Sequence, residues 1–187
     1  GRMPSNKLVP VKDLKLDLKN YRTVPHKTEI ATVQALIAID TDWFWALMES
    51  LLDDGYLPTE NIIVLSSGSS LVAKEGNRRI AGLKIILGIL DASHFDLPED
   101  LAARISALPE SWKKANSDVP CIVYPASQAS TVDKIVSLTH GKGEKAGRAK
   151  WKAVARARHA RDVNKSPQPA LDLLEKYLIA GKNATAT

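Results

Sequence analysis

Between Asn61 and Leu90 the apolar residues change from a strand pattern to a helix pattern, and Gly76 sits at the change. Asn61–Leu65 is a β-branched run and Leu71–Ala73 is another. Ser66-Ser67-Gly68-Ser69 between them reads as the turn of a hairpin. Ile80–Leu90 then sets Ile80, Leu83, Ile86 and Leu87 on one helical face. A hairpin feeding straight into an apolar helix points to an α+β class: a small mixed β-sheet with surrounding helices, followed by C-terminal helices.

The rest of the chain fits that plan. Leu8–Leu16 alternates weakly and reads as a first strand, with Asn20-Tyr21-Arg22 as a polar turn after it. Glu29–Leu52 is apolar at helical spacing and is expected to split at Thr41-Asp42, with Asp42 as the N-cap of its second half. Gly55 is placed to end that helix. Leu97–Leu108 is a further helix with Pro98 in its first turn, Val119–Tyr124 a strand, and Thr131–Leu138 a helix. Lys150–Val163 and Ala170–Ala180 are the last two expected helices. The expected organisation is residues 1–6 as an expression scar or disordered start, 7–145 as the domain, and 146–187 as a helical segment packed on it.

Composition limits the function classes. The chain has 187 residues, 44% of them hydrophobic, which suits a globular protein with a real core. No apolar run approaches the roughly 18–20 residues of a bilayer span, and Gly1–Lys7 lacks the apolar core of a secretory signal. The single cysteine, Cys121, excludes an internal disulfide and a cysteine-rich zinc site and reads as an inert buried thiol. These features lead us to expect a cytoplasmic protein. The net charge is +5, and eight basic residues fall between Lys142 and Arg161 against Glu144 alone. Lys145, Arg148, Lys150, Lys152 and Arg156 are the candidate contacts to a polyanion such as DNA, with little sequence preference. The alternative is a solvated basic helix. Trp151, within this block, reads as core.

The densest chemistry lies in Lys74-Glu75-Gly76-Asn77-Arg78-Arg79. The first turn of a helix offers N–H donors and a partial positive charge, which favour an anion. Gly76 allows close approach of the backbone, and Arg78 and Arg79 supply guanidinium forks for phosphate oxygens. Glu75 could hold Mg²⁺ or orient an arginine. The alternative is a helix start whose arginines pair with carboxylates such as Asp53 or Asp54. Thr139-His140-Gly141-Lys142-Gly143 is a second candidate, either a backbone nest for phosphate or a plain helix C-cap at Gly141. The histidines are scattered, with no i, i+4 pair to suggest a metal site.

In order of motifs, residues Lys7 to Val163 resemble the ParB/sulfiredoxin-like family. The matching features are a short first strand, Asn20 and Arg22 as an Asn-x-Arg element, "DDGYLPTENIIVL" as the entry to a strand, a hairpin, "KEGNRRIAGLKIILG" as the helix start, and "VPCIVY" as the next strand. The resemblance implies a nucleoside triphosphate, ATP or CTP with Mg²⁺, bound against the helix start by Gly76, Asn77, Arg78, Arg79, Asn20 and Arg22, with Thr139, His140, Gly141 and Lys142 as a second contact. It also implies association with DNA. Asn77 stands where ParB-like proteins have glutamate and sulfiredoxins have cysteine. Asn77 is neither nucleophile nor general base, so sulfiredoxin activity is not expected. ParB-type hydrolysis would require Glu75 to substitute. The alternatives are a Mg²⁺-dependent nuclease or NTPase built on Glu75, and a non-catalytic interaction domain or homodimer.

Overall fold

Pro10 divides the segment that reads as one first strand. In the computed structural model, which describes residues 3–18, 28–58 and 61–139, β1 is Ser5–Pro10 and β2 is Leu14–Leu16. A three-residue 3-10 turn, Val11–Asp13, separates them. Proline has no N–H to carry a ladder onward, and the next amide, Val11 N, leaves the strand to donate to Ser117 O at 2.8 Å. The two halves then take different partners. β1 runs antiparallel to β5 (Asp118–Tyr124), whereas β2 runs parallel to β4 (Ser70–Glu75). With β3 (Ile62–Ser67) at the centre, the strand order is β1-β5-β3-β4-β2.

This order has a geometric consequence. The outer strands of a flat five-stranded sheet lie about 19 Å apart, four spacings of about 4.8 Å. The chain from Pro10 to Leu14 reaches at most about 15 Å. The sheet therefore curls, bringing β1 and β2 toward each other at one end. The helix that follows β4 packs against β2 and the Val11–Asp13 turn.

The hairpin is tighter than the four-residue turn expected from sequence. Ser67 pairs with Ser70 across a Gly68-Ser69 turn, with Gly68 at φ +61, the positive φ that tight hairpin turns favour. Among the described residues there are six α-helices: α1 (Glu29–Ile39), α2 (Thr41–Asp54), α3 (Asn77–Ile86), α4 (Glu99–Ser106), α5 (Glu110–Ala115) and α6 (Ala129–Thr139). The molecule is α+β, a mixed five-stranded sheet with helices around it.

The break between α1 and α2 falls two residues before the expected one. Asp40, not Asp42, is the N-cap, and its side chain accepts from Trp43 N at 3.3 Å. Asp42 sits inside the first turn, where its charge suits the helix dipole. The axes turn by 109° at this point. Among the described residues no single helix is long and apolar enough to cross a membrane. α4 starts after Pro98, which occupies the N-cap instead of the first turn. α5 was not anticipated from sequence; it begins after Pro109 with Glu110 in its first turn.

The core lies between one sheet face and α1–α3. On β5 the buried residues Val119, Cys121 and Val123 alternate with half-buried ones, the period-two signature of a one-sided strand. They meet Ile62 and Val64 of β3 and Ala73 of β4 in one apolar cluster. α3 is the central helix: Ile80, Ala81, Leu83, Ile85 and Ile86 are all buried. It packs on α2, α1 and β2. Its first turn is thus fixed by neighbours on several sides.

Candidate functional site

β4 ends at Glu75 and α3 begins at Asn77, so a single residue, Gly76, carries the change of direction. Gly76 has φ +91, in the left-handed region that residues with a Cβ enter only with strain. A Cβ here would also run into Ile62 Cδ1 from the central strand. The first bond of the helix is Ile80 N donating to Gly76 O at 3.0 Å. Glycine has no side chain to cap the helix. α1, α2, α4 and α5 each have an acidic residue in the first turn; α3 has none and opens with Asn77-Arg78-Arg79.

Each of these three side chains goes to a different neighbour. Asn77 is only 6% exposed, and its Oδ1 accepts from Asp17 N at 3.2 Å, just past the end of β2. The Asn77 side chain therefore joins the exit of β2 to the start of α3. Arg78 is 9% exposed, and its guanidinium lies 4.2 Å from the centroid of the Trp43 ring on α2, a cation–π contact. Arg79 is half-buried. Its Nη1 donates to Tyr56 Oη at 3.2 Å, while Nη2 lies 3.3 Å from the position a Gly76 Cβ would take. The sequence suggested two adjacent forks turned to one ligand. The structure separates them, with Arg78 inside against α2 and Arg79 folded back over the N-cap.

Ion pairs surround this junction. Lys74 Nζ meets Asp17 Oδ2 at 3.2 Å. Lys84, one side of α3 further on, is 3% exposed and meets Glu29 Oε1 at 2.7 Å. The other carboxylate oxygen of Glu29 accepts from Leu16 N at 2.6 Å. Asp17 and Glu29 thus both bond to α3. Asn20 and Arg22 themselves lie outside the described residues. So do His140, Gly141, Lys142, Lys145, Arg148, Lys150, Lys152 and Arg156. Thr139 is exposed at the end of α6, and its hydroxyl donates to Val136 O at 2.9 Å within its own helix.

Glu75 is half-buried, with Oε2 shut off from solvent. Among the described residues no three His, Cys, Asp or Glu side chains gather as a metal-binding group. Asp53, considered in sequence as an arginine partner, bonds Arg104 of α4 at 2.7 Å.

Cys121 is buried on β5 and donates weakly to Val119 O at 3.5 Å. Burial pushes its thiol up to about 11, against an opposing pull from the Arg79 charge. It is protonated at neutral pH, the inert thiol expected from sequence. Sequence reasoning missed Tyr56 as the partner of Arg79 and Lys84 with Glu29 as a clasp beside it. No periodicity links these residues, because they meet across the fold. No protein-family model matches the chain, and no curated protein matches it.

Proposed function

We propose that this chain is a ParB/sulfiredoxin-like domain that binds a nucleoside phosphate at the start of α3 and works on or beside DNA. One observation carries the proposal. α3 opens with a left-handed glycine, no acidic first turn, and arginine at the second and third positions. A cation beside a helix N-terminus opposes the dipole by about 0.3–1 kcal/mol, and an anion reverses that sign. A phosphate beside the first turn of α3 would meet the positive end of the helix and the guanidinium of Arg79 at once. The strand–glycine–helix order and the mixed sheet are compatible with the family resemblance.

Binding, not hydrolysis, is the proposed activity, because Asn77 supplies neither a nucleophile nor a base. Any Mg²⁺ would arrive with the phosphates of ATP or CTP, as it does where one or two carboxylates and the ligand share the metal. Glu75 is the carboxylate nearest in sequence. The DNA association rests on the basic residues from Lys142 to Arg161. The lone cysteine fits a reducing, cytoplasmic setting.

The test is a thermal-shift and calorimetric titration with ATP and with CTP, each with Mg²⁺. A ligand at a hundred times its Kd stabilises the folded state by about 2.7 kcal/mol, a rise in Tm of about 5–10 °C for a chain of this size. Arg79→Ala is expected to remove that rise while leaving the unliganded protein folded. Wild-type protein indifferent to both nucleotides at millimolar concentration would refute the proposal.

A further inference from the structure

β1 lies at one end of the strand order, with β5 on one side and, among the described residues, no strand on the other. Ser5, Asn6, Lys7 and Leu8 are exposed, and Leu8 keeps 70% of its surface in water. The ladder shows which backbone groups face that open edge. Val11 N bonds Ser117 O at 2.8 Å, and Val9 lies opposite Val119 in the same register. Bonded and unbonded positions alternate along an antiparallel pair. Ser5, Lys7 and Val9 therefore turn their N–H and C=O groups toward β5, and Asn6, Leu8 and Pro10 turn theirs outward. Pro120 agrees with this, since it stands opposite Leu8 and has no N–H to give.

The side chains alternate as well. Lys7 and Val9 lie opposite Cys121 and Val119 and share the core face. Asn6, Leu8 and Pro10 lie on the other face, opposite Ile122, Pro120 and Asp118. Residues opposite one another in a sheet share a face. A second copy joined to this edge about a two-fold axis must therefore centre the pairing on a residue, not between two. Two such registers overlap most of the strand, one centred on Lys7 and one on Leu8. The first sets Lys7 against Lys7, and like charges directly opposite destabilise a strand pair. The second sets Leu8 against Leu8, with Pro120 of each copy continuing an apolar row, and Lys7 opposite Val9. Its outward backbone groups match: each Leu8 N–H meets the other copy's Leu8 C=O, and each Asn6 N–H meets the other copy's Pro10 C=O. The N–H that Pro10 lacks leaves only Asn6 C=O to water.

We propose that β1 is a self-association edge, which joins two copies of this chain antiparallel through Leu8 into one continuous sheet. The occupant is a second copy because the edge complements itself, as a two-fold interface must. The register that avoids the lysine clash is the one that covers the exposed leucine with its own counterpart.

Sedimentation equilibrium of the full chain tests this. A single strand pair is a small interface of the weak, transient kind, so a dimer that dissociates within about 10–500 µM is expected. Leu8→Asp removes the apolar contact from both copies and is expected to weaken association about thirtyfold or more. Asn6→Pro keeps Leu8 and deletes only an outward N–H, which an edge strand tolerates. Its two lost bonds per dimer should weaken association about tenfold. Circular dichroism melts of both variants at low concentration should match wild type, because neither change touches the pairing with β5. Wild-type protein that stays monomeric throughout the range overturns the proposal. A dimer indifferent to Leu8→Asp overturns it as well. A dimer weakened by Leu8→Asp but not by Asn6→Pro is made by stacked faces, not joined edges, and also overturns it.

Discussion

Replacing Glu29 by alanine removes both anchors that this carboxylate supplies. Its Oε1 lies 2.7 Å from Lys84 Nζ, and its Oε2 accepts from Leu16 N at 2.6 Å. The two partners differ in access to water: the Lys84 side chain is 3% exposed and that of Glu29 is 25% exposed. Glu29→Ala therefore leaves an ammonium group on the most buried helix of the fold with little water to receive it. Breaking a buried pair from one side costs about 3–5 kcal/mol. The quarter exposure of the glutamate admits some water, which puts the pair near the lower end. The lost bond to Leu16 N adds about 1 kcal/mol. The expected total is about 4 kcal/mol, or a fall in Tm of about 10 °C. The reverse substitution, Lys84→Met, should cost about 1 kcal/mol. It leaves a carboxylate that water can reach and that still bonds Leu16 N, and methionine fills the vacated volume. Urea denaturation followed by circular dichroism gives both values by linear extrapolation. The reasoning is refuted if Glu29→Ala lies within 1 kcal/mol of wild type, or if Lys84→Met costs as much as Glu29→Ala.

Two further outcomes follow from the same region. Gly76→Ala should destabilise the protein by about 2 kcal/mol or more in urea denaturation, since left-handed strain of about 1–2 kcal/mol adds to the collision with Ile62 Cδ1; a change below 0.5 kcal/mol would show that the junction relaxes freely. The Cys121 thiol is raised by burial from 9.0 to about 11. The folded state therefore keeps a proton that the unfolded state has lost in this interval, and stability falls as pH rises from about 9 to about 11. Cys121→Ala should flatten that part of the stability–pH curve, and an unchanged slope would show that other groups set it.

The hairpin and the helix after it were legible because β-branched runs, a Ser-Gly turn and a 3.6-residue period are local signals. The first strand was not, although Pro10 marked its break. Whether a proline ends a strand or edges it depends on what its neighbours pair with, and here β1 and β2 pair with strands more than fifty residues away. Asp40 and Asp42 are equally good caps by residue type. Only the reach of Asp40 to Trp43 N decides between them. The parting of Arg78 and Arg79 has a local cause that helix boundaries concealed. The strong apolar period starts at Ile80, and the reading placed both arginines at the helix start without giving them separate directions. Once α3 starts at Asn77, successive side chains are turned about 100° apart by helix geometry, and two adjacent arginines face different walls. Which walls they face, Trp43 and Tyr56, is tertiary information without a spacing rule.

This separation gives the two cations different parts in the proposed site. Arg78 lies against an indole and is nine-tenths buried. It therefore reaches no ligand as a fork, but a charge withdrawn from water is screened less than one at the surface. Its contribution is potential at the helix start, added to that of the α3 dipole. Arg79 is half-buried beside Gly76, so the contact falls to it. On this division Arg78 is as much a packing residue as a charge, and its removal lowers fold stability along with affinity. In the proposed site, the phosphate contact would therefore be made by Arg79.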